Sequence, residues 1–128
     1  MTGLLLDTHA FVWWVADDDR LSMTAREAIA TEQTVEVSAA SLWELAIKAA
    51  LGKIRLASPA GTWFARHAAA NRFDVLGLEL GHLAAVEHVP KHHRDPFDRV
   101  LVAQARAEGL TLVTADPWVA KYDVGHLW

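Results

Sequence analysis

The sequence predicts an α/β fold with a mainly parallel central sheet. Short apolar runs of strand length alternate with longer segments of helical character along the whole chain. The first of these runs is apolar throughout, as a strand covered on both faces must be. Acidic residues recur where runs end and helices begin, and the carboxyl edge of a parallel sheet is where such folds bind ligands.

The elements follow in order. Residues 3–6 read as a buried strand that ends at Asp7-Thr8. Residues 9–15 suit a helix with Phe11, Trp14 and Val15 inward, stopped by the acidic run Asp17-Asp18-Asp19, which suits a solvated loop. Thr24 and Glu27 have the spacing of a capping box and open a second helix to about Thr31. Residues 35–38 read as the second strand. Ser41 and Glu44 repeat the capping-box spacing at the head of an Ala/Leu/Ile helix closed by Gly52, so Glu44 has a local reading as a cap. Ser58-Pro59 starts a further helix to about Asn71. Residues 73–78 form a third strand interrupted by Gly77, and residues 81–87 a short helix. His88 and His92 have the spacing of a zinc pair, but Pro90 between them argues against the helix that pair would need. Residues 110–114 form the fourth strand, Asp116-Pro117 a second Asp-Pro helix start, and residues 124–128 a final edge strand. No repeat or linker interrupts the chain, so residues 1–128 read as one domain.

Before that fourth strand lies the segment around which the rest is organised, His93-Arg94-Asp95-Pro96-Phe97-Asp98-Arg99. Asp before Pro marks a helix start, because Asp caps free N–H groups and proline suits the first helical position. The helix runs over 96–108 with Gly109 as its stop, and its apolar residues cover enough of the circumference to predict a central, buried position. Asp95 and Asp98 stand three residues apart at its mouth and therefore on one face. A helix N-terminus supplies roughly half a positive charge, enough to favour one carboxylate but not obviously two. Taken alone, the segment is equally read as one cap and one solvated acid. Asp95 is the better cap, with its role as a ligand left open, and Asp98 has the freer side chain.

Composition narrows the chemistry. The chain has no cysteine, which excludes disulfides and thiolate metal sites and fits a cytoplasmic protein. The N-terminus has no basic flank and only a short apolar run, unlike a signal peptide, and no stretch approaches a membrane span. A net charge of −4 argues against a surface that is basic throughout, so any nucleic-acid contact must rest on local cations. Six tryptophans are a heavy load for 128 residues and point to a partner surface, with Trp13, Trp14 and Trp43 as candidates and core burial expected for at least one.

Placed on the predicted sheet, Asp7, Glu44, Asp95, Asp98 and Asp116 converge on one edge. Each has a fair individual reading as a cap, yet capping alone does not explain the convergence. A carboxylate cluster without soft ligands suits a hard cation, Mg²⁺ or Mn²⁺, and phosphodiester hydrolysis is its natural reaction. Without the cation the acids must repel one another and some must hold protons.

Leu4-Leu5-Leu6-Asp7-Thr8-His9-Ala10, Ser41-Leu42-Trp43-Glu44, Arg94-Asp95-Pro96-Phe97-Asp98-Arg99 and Leu112-Val113-Thr114-Ala115-Asp116 occur in that order. In this the chain resembles PIN-domain proteins, most closely the ribonuclease toxins of VapBC-type toxin–antitoxin pairs, over nearly its whole length. The resemblance implies a three-layer α/β/α fold and a divalent-metal-dependent endoribonuclease. It maps the family's four acids onto Asp7, Glu44, Asp98 and Asp116, with Asp95 as an extra acid and Thr114 as the hydroxyl beside the fourth. It also implies an RNA substrate, a homodimer and a cognate antitoxin bound as a peptide. Arg94, Arg99 and Lys48 are the candidate RNA contacts, with Lys53 and Arg55 behind them. Two other functions remain open from the sequence: a metal-dependent hydrolase of a small phosphate ester, and a non-catalytic partner-binding module. The first lacks a phosphate-cradling glycine loop, and the intact set of acids argues against the second.

Overall fold

The computed structural model describes residues 3–90 and 95–128. Its sheet has strands β1 (Leu4–Leu6), β2 (Val35–Ser38), β3 (Asp74–Leu76), β4 (Thr111–Val113) and β5 (His126–Leu127) in the order β3-β2-β1-β4-β5. Every pairing is parallel, so the sheet is parallel throughout. β1 sits between β2 and β4, and the strand order reverses there, which opens a crevice beyond the carboxyl ends of β1 and β4. Gly3 lets the strands meet at the other end: a Cβ at that position would lie 2.9 Å from the side chain and carbonyl of Thr34. The carbonyl of Thr34 takes the Leu4 N–H at 3.0 Å, leaving no slack for a larger residue.

Helices α1 (Thr8–Ala16), α2 (Met23–Thr31), α3 (Ala39–Ala50), α4 (Ala60–Ala70), α5 (Leu80–Ala85) and α6 (Pro96–Glu108) cover both faces. Side chains alternate across β1. Leu4 and Leu6 join a core with Phe11, Ala25, Ile29, Leu45, Trp63 and Phe64, whereas Leu5 joins a second core with Val100, Leu101, Val102 and Leu112. Phe11 is fully enclosed, with the rings of Trp63, Phe64 and Phe73 at 5.3, 5.5 and 5.9 Å. Truncating an aromatic so placed costs about 3–5 kcal/mol. Among the described residues no helix is long and apolar enough to cross a membrane.

α6 has the expected bounds. Asp95 Oδ1 accepts the Phe97 N–H at 2.9 Å, Pro96 fills the first position, and Gly109 ends the helix at φ +67°, where a side chain would be strained. Burial covers its middle, 100–105, while 106–108 run into solvent.

Other helix starts differ from expectation. Ser22, not Thr24, caps α2, accepting the Ala25 N–H at 3.0 Å. Ser38, not Ser41, caps α3, accepting the Ala40 N–H at 3.0 Å, so Ser41 and Glu44 lie inside the helix. In both places a serine upstream wins, because the preceding segment leaves it in extended backbone next to the first free N–H groups. α4 starts after Pro59 without a side-chain cap from Ser58. β3 keeps only the middle of the expected run, and α5 is short and passes into a 3-10 turn, Val86–His88. Asp116-Pro117 opens only a 3-10 turn, Val119–Lys121, instead of a full helix. The run 17–19 forms ion-paired turns: Asp17 meets Arg26 at 2.6 Å and Asp18 meets Arg20 at 2.7 Å. Of the supposed zinc pair, His88 is exposed on the 3-10 turn, and His92 lies outside the described residues.

Candidate active site

Three strand or loop ends and two helices deliver acids to the crevice. A cleft of about 320 Å³ is lined by Asp7, Glu44, Asp95, Asp98 and Asp116, together with Thr8, His9, Trp13 and Ala115. Asp7 follows β1. Its N–H donates to the Val113 carbonyl at 3.0 Å, which ties it to β4, and its Oδ1 accepts the Ala10 N–H at 2.7 Å as the cap of α1. Asp116 follows β4 and accepts the Trp118 N–H at 2.9 Å. Asp95 caps α6. Two of the five acids, Asp7 and Asp95, are therefore caps and Asp116 closes a local turn, as local chemistry allows, and yet all five line one cleft. Each of these bonds engages one carboxylate oxygen, and a carboxylate has about four lone-pair positions to offer.

Glu44 is no cap. It is buried, its Oε1 accepts the Thr8 hydroxyl at 2.6 Å, and its Oε2 meets Lys48 Nζ at 2.5 Å. Thr114 is buried between two acids: its Oγ1 accepts the Asp116 N–H at 3.1 Å, and its hydroxyl bonds the Asp7 carboxylate.

The electrostatics show how tightly the acids are held together. Burial, and then the charges of Asp95, Asp7, Asp116 and Glu44, push the Asp98 carboxyl up to about 8. The four charges acting on it are the four other acids of the cleft. Asp7 is also raised, chiefly by burial, against the opposing pull of its bonds to Thr114 and Ala10.

Two of the basic candidates have other partners. Lys48 pairs with Glu44. Arg99 Nη2 donates to the carbonyls of Val86 at 3.1 Å and Val89 at 2.9 Å, which braces the turn before α6. Arg94 lies outside the described residues, and Lys53 and Arg55 are exposed. Trp14 packs at the edge of the first core and donates to Asn71 at 3.0 Å, Trp13 stacks on His9 at the cleft, and Trp43 is 55 % exposed beside Phe97.

The sequence assigns no site role to Thr8 or His9, and reads Ser41 only as a helix cap. His9 had a local signal, two residues after Asp7; Thr8 and Ser41 meet across 33 positions, and no local pattern foretells that.

The donor set suits a hard dication: every acid is an oxygen ligand, and the burial and clustered charge that together raise Asp98 are what a cation would offset. Glu79, His82 and Glu108 also lie close enough together to share an ion. There, hydrogen bonds account for the imidazole: Nδ1 accepts the Glu79 N–H at 3.2 Å, which leaves Nε2 to donate to Glu108 at 3.0 Å.

Residues 4–124 match the family model of the PIN domain. Over 117 residues the chain is 38% identical to Ribonuclease VapC22 of Mycobacterium tuberculosis, covering 91% of this chain and 88% of that one. Among solved structures it is similar to VapBC2 from Rickettsia felis bound to a promoter DNA fragment, with a TM-score of 0.70, 15% identity and coverage of 97% and 96%. It is also similar to a toxin–antitoxin complex from Klebsiella pneumoniae, with a TM-score of 0.67, 15% identity and coverage of 98% and 97%. With the all-parallel sheet and the acids at its crevice, this places the chain in the PIN-domain family.

Proposed function

We propose that the protein is a divalent-metal-dependent endoribonuclease, the toxin of a type II toxin–antitoxin pair, acting in the cytoplasm as one domain over 1–128. The observation that carries the reading is the convergence of five carboxylates in one cleft, where burial and then the charges of the other four push Asp98 up to about 8. The relative named Ribonuclease VapC22 supports RNA as the substrate. Asp7, Asp98, Asp116 and Glu44 are the residues that would hold Mg²⁺ or Mn²⁺, with Asp95 serving first as the cap of α6. When bound, such an ion polarises a phosphoryl oxygen and makes water a better nucleophile. The chain's own residues orient and restrain: Thr114 holds Asp7, Val113 anchors its backbone, and Thr8 and Lys48 fix Glu44. Arg94 and the exposed Lys53 and Arg55 are the candidates for the RNA backbone, while Lys48 and Arg99 already hold protein partners.

Cleavage of labelled RNA should stop in excess chelator and return with Mg²⁺ or Mn²⁺. Undiminished cleavage in chelator rules this reading out.

For the partner we infer a cognate antitoxin that binds as a peptide to a homodimer of this chain. Trp43 and Ile47 on α3 and Leu51 at its C-cap recur at four-residue intervals and are all exposed, an apolar stripe whose first residue packs on Phe97, the sequence neighbour of Asp98. A segment with an apolar face and a basic side chain complements both the stripe and the acidic cleft. Purification from the native host should yield a complex with a small second protein. Recovery of the chain alone, as a single species, counts against the partner.

A further inference from the structure

Resting on the nuclease reading, we propose that Thr8 is the positioning residue for Glu44 and that Ser41 aims the Thr8 hydroxyl. Thr8 Oγ1 lies 2.6 Å from Glu44 Oε1 and 2.9 Å from Ser41 Oγ. The threonine hydroxyl has one hydrogen, and a carboxylate paired with Lys48 can only accept. The hydrogen therefore goes to Glu44, and the contact with Ser41 is one in which the serine donates to Thr8. Ser41, Thr8 and Glu44 are respectively 1%, 5% and 4% exposed, so water does not substitute for these bonds.

The arrangement fixes Glu44 from two sides. Thr8 on α1 holds one oxygen and Lys48 on α3 holds the other. Lys48 shares a helix with Glu44 and constrains it only along that helix. Thr8 immediately follows Asp7, so its bond sets the distance between the acid at the end of β1 and the acid on α3. Each Glu44 oxygen keeps lone-pair capacity for the cleft after accepting one bond. Partners of this kind, one shell behind a ligand, typically govern metal affinity or activity by about 10–100-fold.

The test compares Thr8→Val, which keeps the shape and removes the hydroxyl, with Thr8→Ser, which keeps the hydroxyl. Mn²⁺ affinity is measured by titration calorimetry in the absence of RNA, and kcat and KM are measured separately on labelled RNA. Thr8→Val should weaken Mn²⁺ binding about tenfold or more and lower kcat by about 10–100-fold, with KM for RNA little changed. Thr8→Ser should recover most of both. Ser41→Ala should lower Mn²⁺ affinity less, and it carries the test if Thr8→Val does not fold. Wild-type Mn²⁺ affinity in the folded Thr8→Val protein overturns the proposal, as does wild-type affinity in Ser41→Ala if that variant stands in. The calorimetric result stands apart from the RNA assay. Wild-type protein that binds Mn²⁺ yet never cleaves RNA refutes the nuclease reading without touching the positioning role.

Discussion

Asp98→Asn should abolish RNA cleavage while leaving the fold intact and the metal-free protein at least as stable as wild type. Asp98 stands in the first turn of α6 but does not cap it; the cap is Asp95, through the Phe97 N–H. The change removes the group on which the charges of all four other acids act, so it relieves repulsion in the absence of metal. Asp95→Ala should behave differently. It should cost about 1 kcal/mol of stability through the lost cap and reduce activity less, while Asp95→Asn, which can still cap, should recover most of that stability. Cleavage rates and thermal melts of the three variants decide the matter. Activity surviving in Asp98→Asn but lost in Asp95→Asn reverses the roles.

In chelator, wild-type protein should lose stability as pH rises from about 4 to about 8. An unfolded aspartate gives up its proton near the ordinary value of 3.8, while Asp98 in the fold keeps it to about 8. Between those limits the folded protein binds a proton that the unfolded chain has released, so raising the pH favours unfolding. Asp7, also raised, acts in the same direction. A cation competes with these protons, so Mg²⁺ should raise the melting temperature more at pH 8 than at pH 5. Asp98→Asn should flatten the pH dependence. A metal-free melting temperature that does not change between pH 5 and 8, or an equal gain from Mg²⁺ at both, shows that burial and the neighbouring acids do not raise Asp98.

Both outcomes depend on features that differ in how visible they are along the chain. The bounds of α6 follow from residues adjacent in sequence: Asp95, Pro96 and Gly109 act through local backbone chemistry and need no partner from elsewhere. The parallel sheet follows from apolar runs separated by helices, and the placing of acids at its edge follows from that topology. Glu44 shows where this reasoning stops. Its capping-box spacing after Ser41 was a sound local signal, but α3 begins three residues earlier because Ser38 takes the cap. That shift of start turns Ser41 and Glu44 from helix-end residues into interior ones that meet Thr8. Arg99 likewise reads as an RNA contact beside two acids, and only the packing of α6 against the 3-10 turn gives its guanidinium the carbonyls of Val86 and Val89. Spacing along the chain identifies which residues can share a helix face or cap a helix. Which buried donor meets which acceptor is decided when α1, α3 and α6 pack around β1, because those contacts join residues tens of positions apart and are selected by the burial itself.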